Sequence, residues 1–419
     1  MALPEAGKIV TKPGTDTQAA FLETLFEQAV TLLKQGNHKG VIKRLNRILK
    51  HIPEHPQVLN MCALSLAELG EFMKAEKMLN TAIRANPGFP DSWINLGVVH
   101  QKSGDNAAAA SAYDRFRTLN PGAAVGHLNF ANVCQLLKRF DDAEAAYDQA
   151  LSIAPDNPVA WSNLSRASLH TGNWEKSLAA ADQTLALFPG HTGALAIKTV
   201  ALAELGRTGE VAELVDFDRL IEKKEFAAPE GYADLESFNE ALCTHCLNHP
   251  TLVFEPSDNT TMMGHQTGIL SHDKDMGPIG QLLEMIDQAV ADYQHTHPVD
   301  PSHPFLAQQP AKWEYDIWGT VLGSQGHQAS HIHRSGWLSG CYYARIPDVI
   351  TAVDDDRAGW IEFGCPQEYS MSKAQPVVRS YQPYEGLVVL FPSYFYHRTE
   401  PFVSDNKRIS IAFDILPKS

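Results

Sequence analysis

Large apolar and small residues recur through the first half of the chain with a period of 34 residues, and the period stops after Lys223-Lys224. A small residue stands at one slot of each unit (Ala29, Ala63, Gly97, Ala131, Ser165), with a small or short one twelve positions on (Val41, Ala75, Ala109, Ala143, Ser177). Such slots mark where two antiparallel helices touch closely. Large residues fall four positions before the first slot (Leu25, Leu59, Trp93, Trp161) and at a third (Leu45, Leu79, Tyr113, Tyr147), which predicts that they fill the groove between neighbouring units. Pro53, Pro87, Pro121, Pro155 and Pro189 keep the same spacing. Each follows a helix that it cannot continue. A sixth, degenerate unit near 192–215 keeps Leu195 and lacks the terminal proline.

Beyond Ala227-Ala228-Pro229-Glu230-Gly231, which reads as a linker, the pattern changes. One helix is predicted after a cap at Asp234, through Phe238, Leu242 and Cys246. A second carries Ile279, Leu282, Leu283, Ile286, Ala289, Val290 and Tyr293. From Trp313 onward the chain reads as short strands at 313–321, 337–346, 358–363, 377–381, 386–391 and 408–416, separated by Gly, Pro and Asp turns. The expected fold class is α + β multidomain: an N-terminal α-solenoid, then a jelly-roll or sandwich with flanking helices. The first half resembles the tetratricopeptide repeat in both its period and its small-residue slots. The expected domains are a disordered or extended N-terminus (1–19), a solenoid of about six repeats (20–225) and a β domain (226–419).

Composition narrows the function. Lys and Arg number 34 and Asp and Glu 49, so the net charge is 34 − 49 = −15, a field that repels a phosphate backbone and argues against nucleic-acid partners. No apolar run is long enough to span a membrane, the N-terminus has no apolar signal region, and the six cysteines form no disulfide framework. The expected location is cytoplasmic. Cys243-Thr244-His245-Cys246 with His249 invites a zinc reading, but no second CxxC supplies the other two ligands, so the cysteines are expected to be small buried hydrophobes. Of 18 histidines, eleven follow residue 230.

Three of those eleven form a pattern. His331 and His333 are two residues apart, and on a strand both imidazoles face one side, as two ligands of one metal require. A buried strand, Leu390-Phe391-Pro392, leads through a turn to His397. On the last strand Arg408 and Ser410 share a face and would aim a guanidinium and a hydroxyl at one point, the donor set for a carboxylate.

Residues from about 230 to 419, most closely 313–417, resemble the 2-oxoglutarate- and Fe(II)-dependent oxygenases with a double-stranded β-helix fold. The matching motifs are His331-Ile332-His333, Leu338-Ser339-Gly340-Cys341-Tyr342-Tyr343, Phe391-Pro392-Ser393-Tyr394-Phe395-Tyr396-His397 and Arg408-Ile409-Ser410. The resemblance implies Fe(II) on His331, His333 and His397, and the distal carboxylate of 2-oxoglutarate on Arg408 and Ser410, with Tyr343 on the same carboxylate. It further implies O2 as oxidant, succinate and CO2 as coproducts, hydroxylation as the outcome, and ascorbate as a supporting reductant. His333 stands where the wider superfamily has Asp or Glu, which leaves room for a halide or a different metal, or for a carboxylate from Asp348 or Glu362. Trp337, Trp318 and Phe395 are candidate pocket walls. The repeats suggest a protein or peptide substrate on the concave face of the solenoid, with a small metabolite, a peptide natural product or an inactive cupin-like scaffold as alternatives. A homodimer is left open.

Overall fold

The computed structural model describes residues 16–257, 259–351, 357–366 and 373–418. The chain divides into two compact units, 1–167 and 168–419. Residues 1–15 of the expected N-terminal segment lie outside the described residues; residues 16–19 already belong to the first helix.

Helices come in pairs: α1 (Asp16–Lys34) with α2 (His38–Leu49), α3 (Pro56–Glu68) with α4 (Phe72–Ala85), α5 (Pro90–Ser103) with α6 (Asn106–Leu119), and α7 (Ala124–Leu136) with α8 (Phe140–Ile153); α9 (Pro158–Thr171) and α10 (Trp174–Leu187) follow, and α11 (Thr192–Glu204) pairs with α12 (Thr208–Leu214). The small slots sit where helices touch: Ala29, Ala63, Ala131 and Ser165 are fully buried, as are Val41, Ala75, Ala109, Ala143 and Ser177. A Cβ added at Gly97 would lie 2.4 Å from the Tyr113 ring, so nothing larger than glycine fits that crossing. The large slot is partly polar. Trp93 Nε1 donates to Pro87 O at 2.9 Å and Trp161 Nε1 to Pro155 O at 2.7 Å. His127, at the same slot one unit on, places Nε2 3.0 Å from Pro121 O. Each ring thus ties a helix to the turn before it.

The first helix of each pair ends in the left-handed region at a residue that also keeps the 34-residue period: Gly36, Gly70, Gly104, Lys138, Gly172 and Gly206, with φ between 58° and 88°. Glycine adopts that conformation without a Cβ clash. Lys138, at φ 58°, does not have that freedom.

The second unit starts with the end of α9 and continues through α10–α12 and α13 (Phe217–Leu220) to the β domain. Strands follow as β1 (Glu222–Glu225), β2 (Val253–Phe254), β3 (Thr261–Gln266), β4 (Trp313–His331), β5 (Leu338–Arg345), β6 (Ile361–Phe363), β7 (Arg379–Tyr381), β8 (Leu387–Pro392), β9 (His397–Thr399) and β10 (Arg408–Pro417), with helices α14 (Leu235–Asn248), α15 (Pro278–Thr296) and α16 (Asp348–Thr351) between them. The sheet is antiparallel throughout, in the order β1-β8-β5-β10-β4-β9-β6-β7, with β3 also on β4 and β2 on β3. It curls as a double-stranded β-helix because β4 changes neighbours along its length: β10 over 313–322, β3 over 320–328, and β9 at 328–331.

Both predicted helices of this region form. Asp234 caps α14 in a reciprocal capping box with Ser237. Cys243 and Cys246 are fully buried on its core side, and Cys246 approaches β4 closely enough that a Cβ at Gly319 would meet its Sγ at 2.6 Å.

The division at Ala167/Ser168 falls inside α9, so the last repeat helices belong to the same compact unit as the β domain. Leu169, Leu178, Leu195 and Leu202 share one hydrophobic cluster with Ile317, Tyr342 and Leu390, so the last repeat helices pack into the β domain's core. Residues 222–225, expected as the solenoid's end, instead pair with β8 as an edge strand.

Replacing Lys138 by Gly is expected to raise the chain's unfolding free energy by about 1 kcal/mol, because the left-handed penalty outweighs the added unfolded-state entropy. Chemical denaturation of the full chain measures this, with Gly104→Lys as the reverse control. Loss of stability in Lys138→Gly would contradict it.

Candidate metal centre and carboxylate pocket

His331 is the last residue of β4, and His333 lies just beyond its end, anchored by its backbone N–H donating to Ser393 O at 2.9 Å. His397 opens β9 directly opposite His331. One ring nitrogen of each of the three lies within 4.8 Å of the others, and the ring centroids are 4.2–5.1 Å apart.

The tautomers follow from the neighbours. His333 Nδ1 lies 2.5 Å from Asp414 Oδ1, His331 Nδ1 lies 2.7 Å from Ala329 O, and His397 Nδ1 lies 3.0 Å from Phe395 O. All three partners only accept, so each Nδ1 carries the proton and each Nε2 offers a lone pair. His333 Nε2 and His397 Nε2 face one another at 3.2 Å. Lone pairs at that separation repel unless a cation lies between them. Burial, followed by its imidazole neighbours, holds His397 well below its ordinary value, and burial with His333 pushes His331 down to about 3. His331 and His397 therefore stay unprotonated at neutral pH. Three neutral imidazoles, each oriented by an outer acceptor, suit a divalent first-row metal, iron among them.

The carboxylate near this centre is Asp414. It is buried, accepts from His333 and also from Ser339 Oγ at 2.6 Å, while Ser339 Oγ lies 2.7 Å from Ser393 Oγ. The motif serines of β5 and of the turn after β8 thus form a chain that holds Asp414 on the outer nitrogen of His333. Glu362 is committed elsewhere, 2.6 Å from Arg398 Nη2, and Asp348 opens α16. Neither belongs to a converging ligand group among the described residues. Asp414 was not singled out in the sequence, although it lies six residues after Arg408 and so on the same side of one strand.

A second demand lies along the same face. Arg408 is 1% exposed and has no carboxylate partner among the described residues; its Nη1 reaches Ser410 Oγ at 3.4 Å and its guanidinium lies 5.0 Å from the centre of the Tyr343 ring. Ser410 pairs across the ladder with Thr320 on β4 and Tyr343 on β5, which places the three side chains in one row. Arg408 Nε, Tyr343 Oη and Thr320 Oγ1 are buried without a hydrogen-bond partner among the described residues. Burial raises the Tyr343 phenol well above its usual value, so it remains an O–H donor. A buried guanidinium ringed by hydroxyls is a socket for a carboxylate. Thr320 is a member that the sequence did not reveal, since it sits in a central strand that reads as hydrophobic packing.

Both features border one cavity of about 20 Å3, lined by the three histidines, Tyr343, Arg408 and Trp318 among others. It holds little more than a water, so a larger acid enters only with side-chain movement. Trp318, which stacks on His333 at 5.6 Å, is the expected aromatic that forms a wall. Trp337 instead stacks on Phe305, and Phe395 packs on Phe217 and lines a separate cavity of about 590 Å3 that contains none of the three histidines.

Residues 316–414 match the protein-family model described as "Putative 2OG-Fe(II) oxygenase", and residues 60–124 and 137–201 match two tetratricopeptide-repeat models. No curated protein matches the chain. Among solved structures, the MamA protein is 19% identical with a TM-score of 0.37, covering 40% of this chain and 91% of its own. YrrB, a TPR protein with an unusual peptide-binding site, is 18% identical at 0.38, covering 43% and 96%. A thermophilic TPR protein of Thermus thermophilus is 24% identical at 0.32, covering 44% and 98%. No described helix is long and apolar enough to cross a membrane.

Asp414→Asn keeps the shape of the side chain and removes its charge from His333. It is expected to weaken divalent-metal binding by about 10- to 100-fold in an anaerobic Fe(II) titration. Unchanged affinity would show that Asp414 does not tune the centre.

Proposed function

We propose, for a chain that joins tetratricopeptide repeats to a 2OG-Fe(II) oxygenase domain, that it is a 2-oxoglutarate-dependent dioxygenase hydroxylating a protein or peptide held by the concave face of its repeats. The observation that carries this reading is the buried, carboxylate-free Arg408 beside three convergent imidazole lone pairs in one cavity. Fe(II) with 2-oxoglutarate and O2 supplies the oxidising power, 2-oxoglutarate leaving as succinate and CO2. His331, His333 and His397 hold the metal through Nε2. Asp414 keeps the His333 proton on Nδ1 and adds negative charge behind it, which offsets the absence of a carboxylate in the ligand set. The donor-only guanidinium of Arg408, with the hydroxyls of Ser410, Thr320 and Tyr343 able to donate beside it, suits the distal carboxylate and so favours a diacid over a neutral keto compound. Trp318, stacked on His333, forms one wall of this pocket. No side chain of the chain is required as a general base.

A cytoplasmic setting agrees with this chemistry, which needs free Fe(II) and 2-oxoglutarate, with ascorbate as a supporting reductant. The repeats supply a second argument: a helical array next to the β domain in sequence is suited to an extended polypeptide rather than a metabolite.

The full chain incubated with Fe(II), ascorbate and 2-oxoglutarate should form succinate, followed by NMR, even without substrate. His397→Ala should abolish it, and Arg408→Ala should raise the half-saturating 2-oxoglutarate concentration by about 30-fold or more. Absence of succinate and of 2-oxoglutarate binding, with candidate substrates present, would overturn the proposal. A chain starting at Ser168 retains the whole hydrophobic cluster of the β domain. It should still form succinate but lose activity on a protein substrate; retained activity on that substrate would show that residues 1–167 do not hold it, and activity spared on a small compound alone would point to a metabolite.

A further inference from the structure

We propose a second metal site, built by His245, His249 and Asp273, that takes a divalent cation of the zinc class. One ring nitrogen of each histidine and one carboxylate oxygen of Asp273 lie within 4.8 Å of one another. The site shares no residue with the triad on β4 and β9, and it does not depend on the oxygenase reading.

Local structure brings these groups together. His245 and His249 are four residues apart, so one helical turn presents both on the same side of α14, with ring centroids 5.5 Å apart. His249 is the residue at which α14 ends. The last carbonyls of a helix favour positive charge there. Asp273 follows the short 3-10 turn Leu270–His272, which packs against β4, and its Oδ2 lies 2.8 Å from His249 Nε2.

One observation points to a ligand rather than to an internal hydrogen-bonded cluster. His245 Nε2 is buried with no hydrogen-bond partner among the described residues. A buried ring nitrogen with no partner is otherwise an unmet cost. His249 is also held from behind: Nδ1 accepts the Thr251 N–H at 3.4 Å and lies 2.7 Å from Thr251 Oγ1, which in turn accepts the Gly268 N–H at 2.8 Å. Ligation through Nε2 requires the other tautomer: Nε2 gives up to solvent the proton it shares with Asp273, Nδ1 takes one up from solvent, and Thr251 Oγ1 turns from donor to acceptor. His249 and Asp273 then separate from 2.8 Å to about 3.4 Å, the spacing of neighbouring ligands around a tetrahedral ion with bonds of about 2.1 Å.

The donor set defines the class of ion. Two imidazoles and one carboxylate suit zinc and its neighbours and do not suit calcium or magnesium, which take oxygen ligands. Three protein ligands leave the fourth position to water. The zinc reading of Cys243 and Cys246 fails because both are fully buried on the core side of α14, yet the same helix carries a site through the histidine between them and the one that follows.

Equilibrium dialysis of the full-length chain against Zn(II), with Co(II) as a spectroscopic probe, tests the assignment. In a His397→Ala background, which disables the triad, one ion per chain should still bind. Adding His245→Gln, which removes no hydrogen bond formed by the buried Nε2, should weaken that binding by about tenfold or more and remove the Zn(II)-induced rise in Tm. Asp273→Asn should do the same and serves if His245→Gln does not fold. Loss of all Zn(II) binding in His397→Ala alone, or unchanged affinity in both added variants, would overturn the proposal.

Discussion

A guanidinium that is 1% exposed and has no carboxylate partner among the described residues sets the terms for the β domain. Leaving such a charge unpaired costs on the order of 3–5 kcal/mol, far more than a packing defect, so the fold around Arg408 makes sense only with an anion in its place. The surrounding strands agree. Thr320, Ser410 and Tyr343 form a row of donors across β4, β10 and β5, and two of them have no partner of their own. At the other end of the same face Asp414 turns His333 so that its lone pair meets those of His331 and His397. One strand, β10, therefore carries both ends of the proposed site: Arg408 and Ser410 toward a carboxylate, and Asp414 behind His333, with the small Ala412 between them. The pleat's period of two makes this alignment automatic.

The parts of this arrangement that could be read from the sequence are those with a fixed spacing or a distinctive residue. The solenoid's proline and small-residue slots repeat every 34 residues because each unit buries its apolar face against the next, and the glycine positions 36, 70, 104, 172 and 206 keep the same spacing. The boundary at Ala167/Ser168 was not legible. Apolar faces on α10 and α11 look the same in sequence whether the next repeat or a sheet covers them. β1 escaped notice because Glu-Lys-Lys-Glu has no hydrophobic alternation, and β9 because it opens at His397, which reads in sequence as the end of the turn after Pro392. In the site, the histidines, Arg408, Ser410 and Tyr343 stood out through motifs. Ser339 and Ser393 belonged to those motifs with no evident reason, which the bonds to Asp414 now supply. Several of the other histidines also find places: His303 accepts from the backbone N–H groups of Phe305 and Leu306, His297 lies 2.9 Å from Glu222, and His245 and His249 form the second cluster.

The central claim is that one cavity binds a cation and a diacid together, each making the other's site complete. Anaerobic binding of 2-oxoglutarate to the full chain, measured by calorimetry with and without Fe(II), tests it most directly. The account predicts one 2-oxoglutarate per chain, binding that strengthens when Fe(II) is present in the wild type, and loss of that strengthening in His397→Ala. Binding that is equally tight without metal and in Arg408→Ala, or no binding in any form, would contradict it.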